Sequence, residues 1–140
     1  MQLEYTTRTI AGDYPLENAS QTMILDMMSS HFLSAAERAN MYKEMHRLLK
    51  PGGWLFMKTF LRDGDLHTER LLKEFPTKEE GTYSHPVMGM NEHVYFEEDL
   101  VNELSEYFTI HKVHRSHKHV SRGKAKKRRT ISIYAQKDLF

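Results

Sequence analysis

Apolar residues along the chain fall into short dense runs separated by polar, glycine- and proline-marked breaks. Residues 3–10 place Leu3, Tyr5, Thr7 and Thr9 on alternate positions, the period of a strand. Gly12-Asp13-Tyr14-Pro15 breaks that segment, and 17–20 continue as a loop. The run Thr22-Met23-Ile24-Leu25 predicts a strand buried on both faces, as in a parallel sheet. Ser34 and Glu37 have capping-box spacing, and Tyr42, Met45 and Leu49 form a stripe with Met41 and Leu48 beside it, so the pattern predicts an amphipathic helix over 35–49. Pro51-Gly52-Gly53 stops this helix, and 54–60 (Trp-Leu-Phe-Met-Lys-Thr-Phe) predict a second buried strand. Strand, helix, short turn and strand make a βαβ unit, which demands a parallel pair.

Beyond Arg62-Asp63-Gly64-Asp65, residues 67–75 read as a helix with Leu71, Leu72 and Phe75 on one side. Residues 76–89 are polar and irregular, long enough to suggest a lid or insert. A second amphipathic helix is expected over 97–107, its acidic first turn matched to the helix dipole. Strands follow at 108–114 and 130–136, with the basic stretch 122–129 as the tip between them.

At 140 residues the chain has the length of one domain. Its formal charge of +1 hides a split: residues 111–130 carry nine Lys or Arg and no acid, leaving eleven basic against nineteen acidic residues elsewhere. An acidic body with one basic segment excludes a uniformly basic nucleic-acid coat. There are no cysteines, which removes disulfides, thiolate nucleophiles and cysteine-based metal sites. No apolar run reaches the ~18 residues of a membrane span, and the N-terminus lacks signal-peptide character, so a cytoplasmic location is expected.

The segment Leu48-Leu49-Lys50-Pro51-Gly52-Gly53-Trp54-Leu55-Phe56, a helix end, turn and apolar strand, resembles the carboxyl half of class I S-adenosylmethionine-dependent methyltransferases. Gly12-Asp13 with Pro15-Leu16-Glu17 resembles the loop after that family's third strand, and 22–25 ending at Asp26 its fourth strand. His31-Phe32-Leu33 resembles the approach to the next helix. Residues 95–100, 107–110 and 130–137 resemble its last helix, sixth strand and closing antiparallel strand. The family's Gly-rich loop and the acid that holds the cofactor ribose have no counterpart among these residues. The resemblance therefore implies an α/β, Rossmann-like sheet that is incomplete, mostly parallel with an antiparallel C-terminal hairpin, forming a single partial domain. It is expected to lack the family's first two strands.

S-adenosylmethionine is the cofactor this resemblance implies, with only weak binding expected from the chain alone, and the acceptor implied is a small molecule. Ligands of such sheets lie at the carboxyl ends of the strands. There the resemblance assigns Gly12, Asp13, Tyr14, Asp26 and Met27 to the cofactor, with Asp26 facing the sulfonium and the acceptor. His31 is a candidate base, against the plainer reading of a structural hydrogen-bonder. Lys58 and Thr59 at a strand end, with Tyr83 and His85 in the irregular stretch, are candidates for the acceptor side, against the reading of solvated surface groups.

Two further features invite other functions. His111, His114, His117 and His119 are close in sequence, but no carboxylate interleaves them and solvated strand positions are expected. Lys-Ala-Lys-Lys-Arg-Arg at 124–129 offers an alternative reading, a nucleic-acid or partner-binding module through the hairpin 122–129. It lacks aromatic residues for base stacking, and a solvated tip is the plainer expectation. Without the family's first strand, the edge at 22–25 would be bare, which predicts self-association there or a rearrangement bringing 3–10 alongside.

Overall fold

A computed structural model describes residues 2–117, 119–121 and 124–140, with the side chains of 119–121 and 124–127 outside that description. Its centre is a four-stranded sheet in the order β1-β2-β8-β5. The strands are β1 (Gln21–Met27), β2 (Leu49–Phe60), β5 (Thr109–Arg115) and β8 (Thr130–Gln136). Helix α1 (Ala35–Leu48) joins β1 to β2, and the two strands pair in parallel as the βαβ pattern requires. β2 pairs antiparallel with β8, and β8 antiparallel with β5. The sheet is therefore mixed, with parallel pairing confined to β1–β2, because only that pair is joined by a helical crossover.

Local chemistry explains the best-marked elements. Ser34 and Glu37 close a reciprocal capping box at the start of α1. The helix ends at Leu48, where the backbone turns extended, and β2 begins at once, so Lys50-Pro51-Gly52-Gly53 belongs to the strand rather than to a separate turn. Gly53 is required there: a Cβ would lie 2.9 Å from the Lys50 carbonyl and 3.0 Å from that of Thr22, where β1 passes closely.

α1 and α3 (Glu97–Ser105) cover one face of the sheet. Met41, Tyr42 and Met45 of α1 and Leu100 and Leu104 of α3 pack with Leu55, Met57, Ile131, Ile133 and Ala135 from the strands. A smaller core sits beyond the carboxyl end of β2. There α2 (Leu66–Glu74) packs through Leu71 against a hairpin of β3 (Thr82–Ser84) and β4 (Asn91–His93), with Tyr83, Val94 and Phe60. Part of the expected irregular stretch 76–89 is thus ordered as β3, which pairs with β4 just beyond it.

Two expectations are corrected. Residues 3–9 form no strand and are exposed, because no described strand pairs with β1 on its outer side and an isolated strand leaves its backbone to water. Nor are β1 and β2 buried on both faces. The described helices cover one face only, so Met23, Leu25 and Met27 are 52%, 62% and 59% exposed, and Trp54 and Phe56 are half-buried.

The segment between β5 and β8 holds a separate ladder of β6 (His119–Ser121) and β7 (Lys124–Lys127). Arg122 and the side chains of Lys124, Lys126 and Lys127, on which the nucleic-acid reading leaned, lie outside the described residues. Arg128 and Arg129 are described and do not form a solvated tip: both are half-buried and folded onto the body. No helix among the described residues is long and apolar enough to cross a membrane.

Candidate functional site

The carboxyl ends of β1 and β2 meet the β3–β4 hairpin and the residues leading into β8, and the 10–18 loop runs beside α1. The loop is held to α1 by one side chain. Arg47 donates to the carbonyls of Tyr14 (3.0 Å) and Leu16 (2.7 Å) and to Asn18 Oδ1 (2.9 Å). Glu44, paired with Arg47 at 2.7 Å, accepts the Tyr14 backbone N–H at 2.9 Å. These two donors hold the Glu44 carboxyl down at about 2. Tyr14 donates its hydroxyl to the Ile10 carbonyl. Burial first, then the charges of Asp26 and Glu44, raise its pKa, so Tyr14 and Asp26 lie within each other's electrostatic reach.

Asp26 is 4% exposed at the end of β1. Its Oδ1 accepts from Ser29, and its Oδ2 is buried with no partner among the described residues. Met28, two residues on, adopts φ 64°, a left-handed conformation that a non-glycine residue takes only at a cost of ~1–2 kcal/mol. That turn sends the chain through a 3-10 turn (Ser30–Phe32) across the top of the sheet and buries Ser30 and His31. His31 packs edge-on against Phe60, ring centroids 4.8 Å apart. Burial lowers the His31 pKa and Arg128 assists, against opposite pulls from Glu92 and Asp26, so the ring is neutral at physiological pH.

Arg128 completes the cluster. Its guanidinium lies 3.5 Å over the Phe60 ring centroid and 5.4 Å from that of Tyr83. It donates to Glu92 Oε2 at 3.0 Å and to Thr68 Oγ1 at 3.3 Å, while Tyr83 donates its hydroxyl to the same Glu92 oxygen. Burial and the Glu92 hydrogen bond push the Tyr83 phenol up in pKa. Next in the chain, Arg129 donates its backbone N–H to Asp65 Oδ2 (2.8 Å) and its guanidinium to the carbonyls of Ser116 and Asp63. Asp65 Oδ1 caps α2 at the same time. The two arginines thereby tie the entry of β8 to α2 and the hairpin.

The residues singled out from the sequence divide by strand alternation. Asp26 and Thr59 turn to the covered face and are buried, and Tyr83 is buried at the hairpin. Met27 and Lys58 alternate with them on the open face, where Met27 is exposed and Lys58 is half-buried. Asp13 is exposed, and a Cβ on Gly12 would meet nothing nearer than 3.9 Å, so the loop does not demand glycine there. His85 sits in the β3–β4 turn, where its Nδ1 accepts the Val87 and Met88 backbone N–H groups at 3.2 and 3.1 Å.

Sequence reasoning missed Glu92, Arg128, Ser30 and Phe60 as members of this cluster. The available signal was short alternation on both sides of the Pro86–Gly89 break, which sets Tyr83 directly opposite Glu92.

A second polar network holds the hairpin to the helices. Glu79 accepts the Ala35 N–H at 2.7 Å and pairs with buried Arg38 at 3.3 Å. His93 Nδ1 lies 2.7 Å from Thr82 Oγ1 and 3.3 Å from Glu79. Tyr95 donates to Glu103 at 3.0 Å, which leaves Tyr42 to donate to Tyr95 at 2.6 Å. Burial, then Arg38, lower the His93 pKa against the pull of Glu79. Clefts of about 470 and 440 Å³ border this network, lined in part by Glu79 and, respectively, Phe32 and Arg38.

The methyltransferase-domain family matches residues 3–57, which span the loop, β1, α1 and β2 as far as Met57. No curated protein matches the chain. Among solved structures, a SAM-dependent methyltransferase from Methanosarcina mazei is 25% identical with a TM-score of 0.79, over 98% of this chain and 68% of that one. A protein from Pyrococcus horikoshii is 17% identical with a TM-score of 0.69, over 97% of this chain and 60% of that one. The 1,6-didemethyltoxoflavin-N1-methyltransferase of Burkholderia thailandensis, solved with 1,6-didemethyltoxoflavin and S-adenosylhomocysteine, is 21% identical with a TM-score of 0.62, over 86% of this chain and 45% of that one. The chain thus spans about half to two-thirds of the length of these proteins.

Proposed function

We propose, for a chain related by sequence and fold to the class I S-adenosylmethionine-dependent methyltransferases, that it forms the acceptor side of a methyl-transfer site and the sulfonium end of the cofactor site. The observation that carries this reading is the unpartnered Asp26 Oδ2, a buried anionic oxygen at the carboxyl end of β1, within electrostatic reach of both Tyr14 and His31. A buried carboxylate oxygen without a donor is costly, and a bound cation or N–H group would satisfy it. The residues present fit the sulfonium end of the cofactor. The groups that would hold its carboxypropyl part and ribose have no counterpart in these 140 residues.

When bound, S-adenosylmethionine supplies an electrophilic methyl on a positively charged sulfur. The chain's residues position and exclude water. Arg47 and Glu44 hold the Gly12–Tyr14 loop, with Asp13 exposed for an adenine edge and Met27 beside Asp26. Asp26 supplies negative charge, Thr59 a buried hydroxyl, and Tyr83 flanks the acceptor side, whereas Lys58 lies on the opposite face of the sheet. His31, neutral and with Nδ1 unpartnered, is placed to take a proton. His85 acts on the acceptor side only indirectly, by shaping the hairpin turn.

Calorimetry with S-adenosylmethionine tests this. The 140 residues alone should bind weakly, with Kd above about 100 μM. A fusion that adds a Gly-rich strand–loop–helix ahead of residue 1 should bind at least about tenfold tighter, and Asp26→Asn should weaken that binding. Micromolar binding by the chain alone would place the cofactor site elsewhere, and no binding by the fusion would end the methyl-transfer reading.

A partner reading rests on the outer edge of β1. About a two-fold axis at Ile24, an antiparallel second copy would set Met23 opposite Leu25 and Thr22 opposite Asp26, with no like charges facing. Sedimentation at rising concentration should detect a dimer that Leu25→Lys abolishes. A monomer at all concentrations would remove this reading.

A further inference from the structure

The open face of the central sheet carries a second constellation, on the side of the strands away from Asp26. Trp54 and Phe56 on β2 and Tyr134 on β8 belong to the two inner strands and form one row of rings. Trp54 and Phe56 are parallel to within 10° with centroids 6.2 Å apart, and Phe56 meets Tyr134 edge-on at 5.0 Å. His111, at the irregularity in β5, brings its ring to 4.8 Å from Trp54. All three rings of the row are half-buried, so each keeps some surface in water.

The charge on this face has one sign. The four strands of the sheet hold a single acidic residue, Asp26, and it turns to the closed face. Lys58 follows Phe56 on the open side of β2, and the register sets Lys112 beside Tyr134. The Lys112 Nζ lies 5.7 Å from the Tyr134 ring centroid. A row of rings edged by cations and free of carboxylates thus sits on a chain that is acidic on balance outside residues 111–130. A protein helix laid across the row would have to desolvate Lys58, on an inner strand, and bring a carboxylate to pair it. A single-stranded nucleic acid supplies both complements from one repeating unit, a base for the rings and a phosphate for the lysines. A duplex does not, because its bases are already stacked on one another.

We propose that the open face of the sheet binds single-stranded nucleic acid, with bases stacked on Trp54, Phe56 and Tyr134 and phosphates on Lys58 and Lys112. Four-stranded sheets with rings on one face are an established platform for unpaired bases. The basic stretch 124–129 has charge but no ring, and the rings come instead from β2 and β8, which lie far apart in sequence and pair only in the folded sheet. The proposal does not depend on methyl transfer, since the face lies across the sheet from Asp26 and Thr59 and uses neither.

Trp54 is the only tryptophan of the chain, so its fluorescence reports this face directly. Titration with an oligouridylate of about ten nucleotides should quench it, with an affinity that falls as salt rises. An RNA duplex of the same length and inorganic polyphosphate should each bind at least about tenfold more weakly, because neither offers an unstacked base. Phe56→Ala should weaken oligouridylate binding about tenfold, the loss of one stacked base. Lys112→Gln changes an exposed residue, leaves folding intact and should lower the salt slope by about 0.7, the loss of one phosphate contact. Polyphosphate binding as tight as oligouridylate, or an unchanged affinity and salt slope in whichever variant folds, would overturn the proposal. Oligouridylate binding seen by anisotropy without quenching of Trp54 would move the contact to the basic stretch 124–129 and overturn it as well. Quenching by an acidic amphipathic helical peptide, with none by oligouridylate, would give the face to a protein partner instead.

Discussion

The two faces of the central sheet are made from the same strands and the same kinds of residue, yet they are buried to different extents. In β2, Leu55 and Met57 are covered by α1 and α3, whereas Trp54 and Phe56, one position away, are half-buried. In β1, Asp26 is buried although charged, while Leu25 and Met27 on either side are exposed although apolar. Side-chain hydrophobicity does not sort these residues. Strand alternation assigns each to a face, and the helices decide which face is closed. The closed face supplies stability, and its upper end passes directly into the polar cluster at Asp26, His31 and Arg128. The open face carries an aromatic row, with Trp54 stacked on Phe56 at 6.2 Å and Phe56 edge-on to Tyr134 at 5.0 Å, that remains partly in water.

The sharpest way to break this contrast is to truncate one residue on each face. Leu55→Ala should cost ~2–5 kcal/mol in urea denaturation, and Leu25→Ala under ~0.5 kcal/mol. Similar costs for the two would mean that something covers the open face in solution. Next in size is the buried pair at the top of the closed face. Glu92→Gln should destabilise by ~2–4 kcal/mol, since Arg128 would keep its charge in a half-buried place, and replacing both by Met should recover part of that loss. No recovery in the double variant would show that the pair's value is not electrostatic.

Acid should act on the same end of the molecule. The folded-state pKa values of His31 and His93 lie below the unfolded value of 6.5. Above about pH 6.5 neither state is protonated and nothing is lost. Below it the unfolded chain takes up protons first, so stability falls until the folded pKa values are passed. Glu44, held at about 2, keeps its charge through this window. Between pH 7 and pH 5 the Tm should drop by on the order of 5 °C, and His93→Gln should reduce that drop. A flat profile would mean both rings are already open to water. The smallest effect is expected at the start of α1, where Ser34→Ala removes the capping hydroxyl and should cost ~1 kcal/mol in urea denaturation.

Several of these elements were legible in the residues. The capping box located α1 to the residue at its start, the strand–helix–strand order predicted the parallel β1–β2 pair, and 130–136 matched β8 because period-two patterning there coincides with one covered face. Asp26 and His31 were legible as candidates because they end an apolar run and precede a capped helix. Arg128 was misread as part of a solvated basic tip: a run of like charges looks the same whether its last member points to water or stacks on a ring brought in from Phe60, 68 positions earlier.

By itself, then, the sequence determined the helices α1, α2 and α3, the strands β1 and β8 and the parallel joining of β1 to β2, since propensity, capping and connection length act over a few residues. The tertiary structure alone decided which face of the sheet is closed, that residues 3–9 have no strand to join, and that Glu92, Tyr83 and Arg128 meet His31 over one aromatic ring. Those outcomes depend on contacts between residues far apart in the chain, where the packing of helices and the hairpin sets burial, charge balance and the unpaired polar atoms on which the proposed chemistry rests.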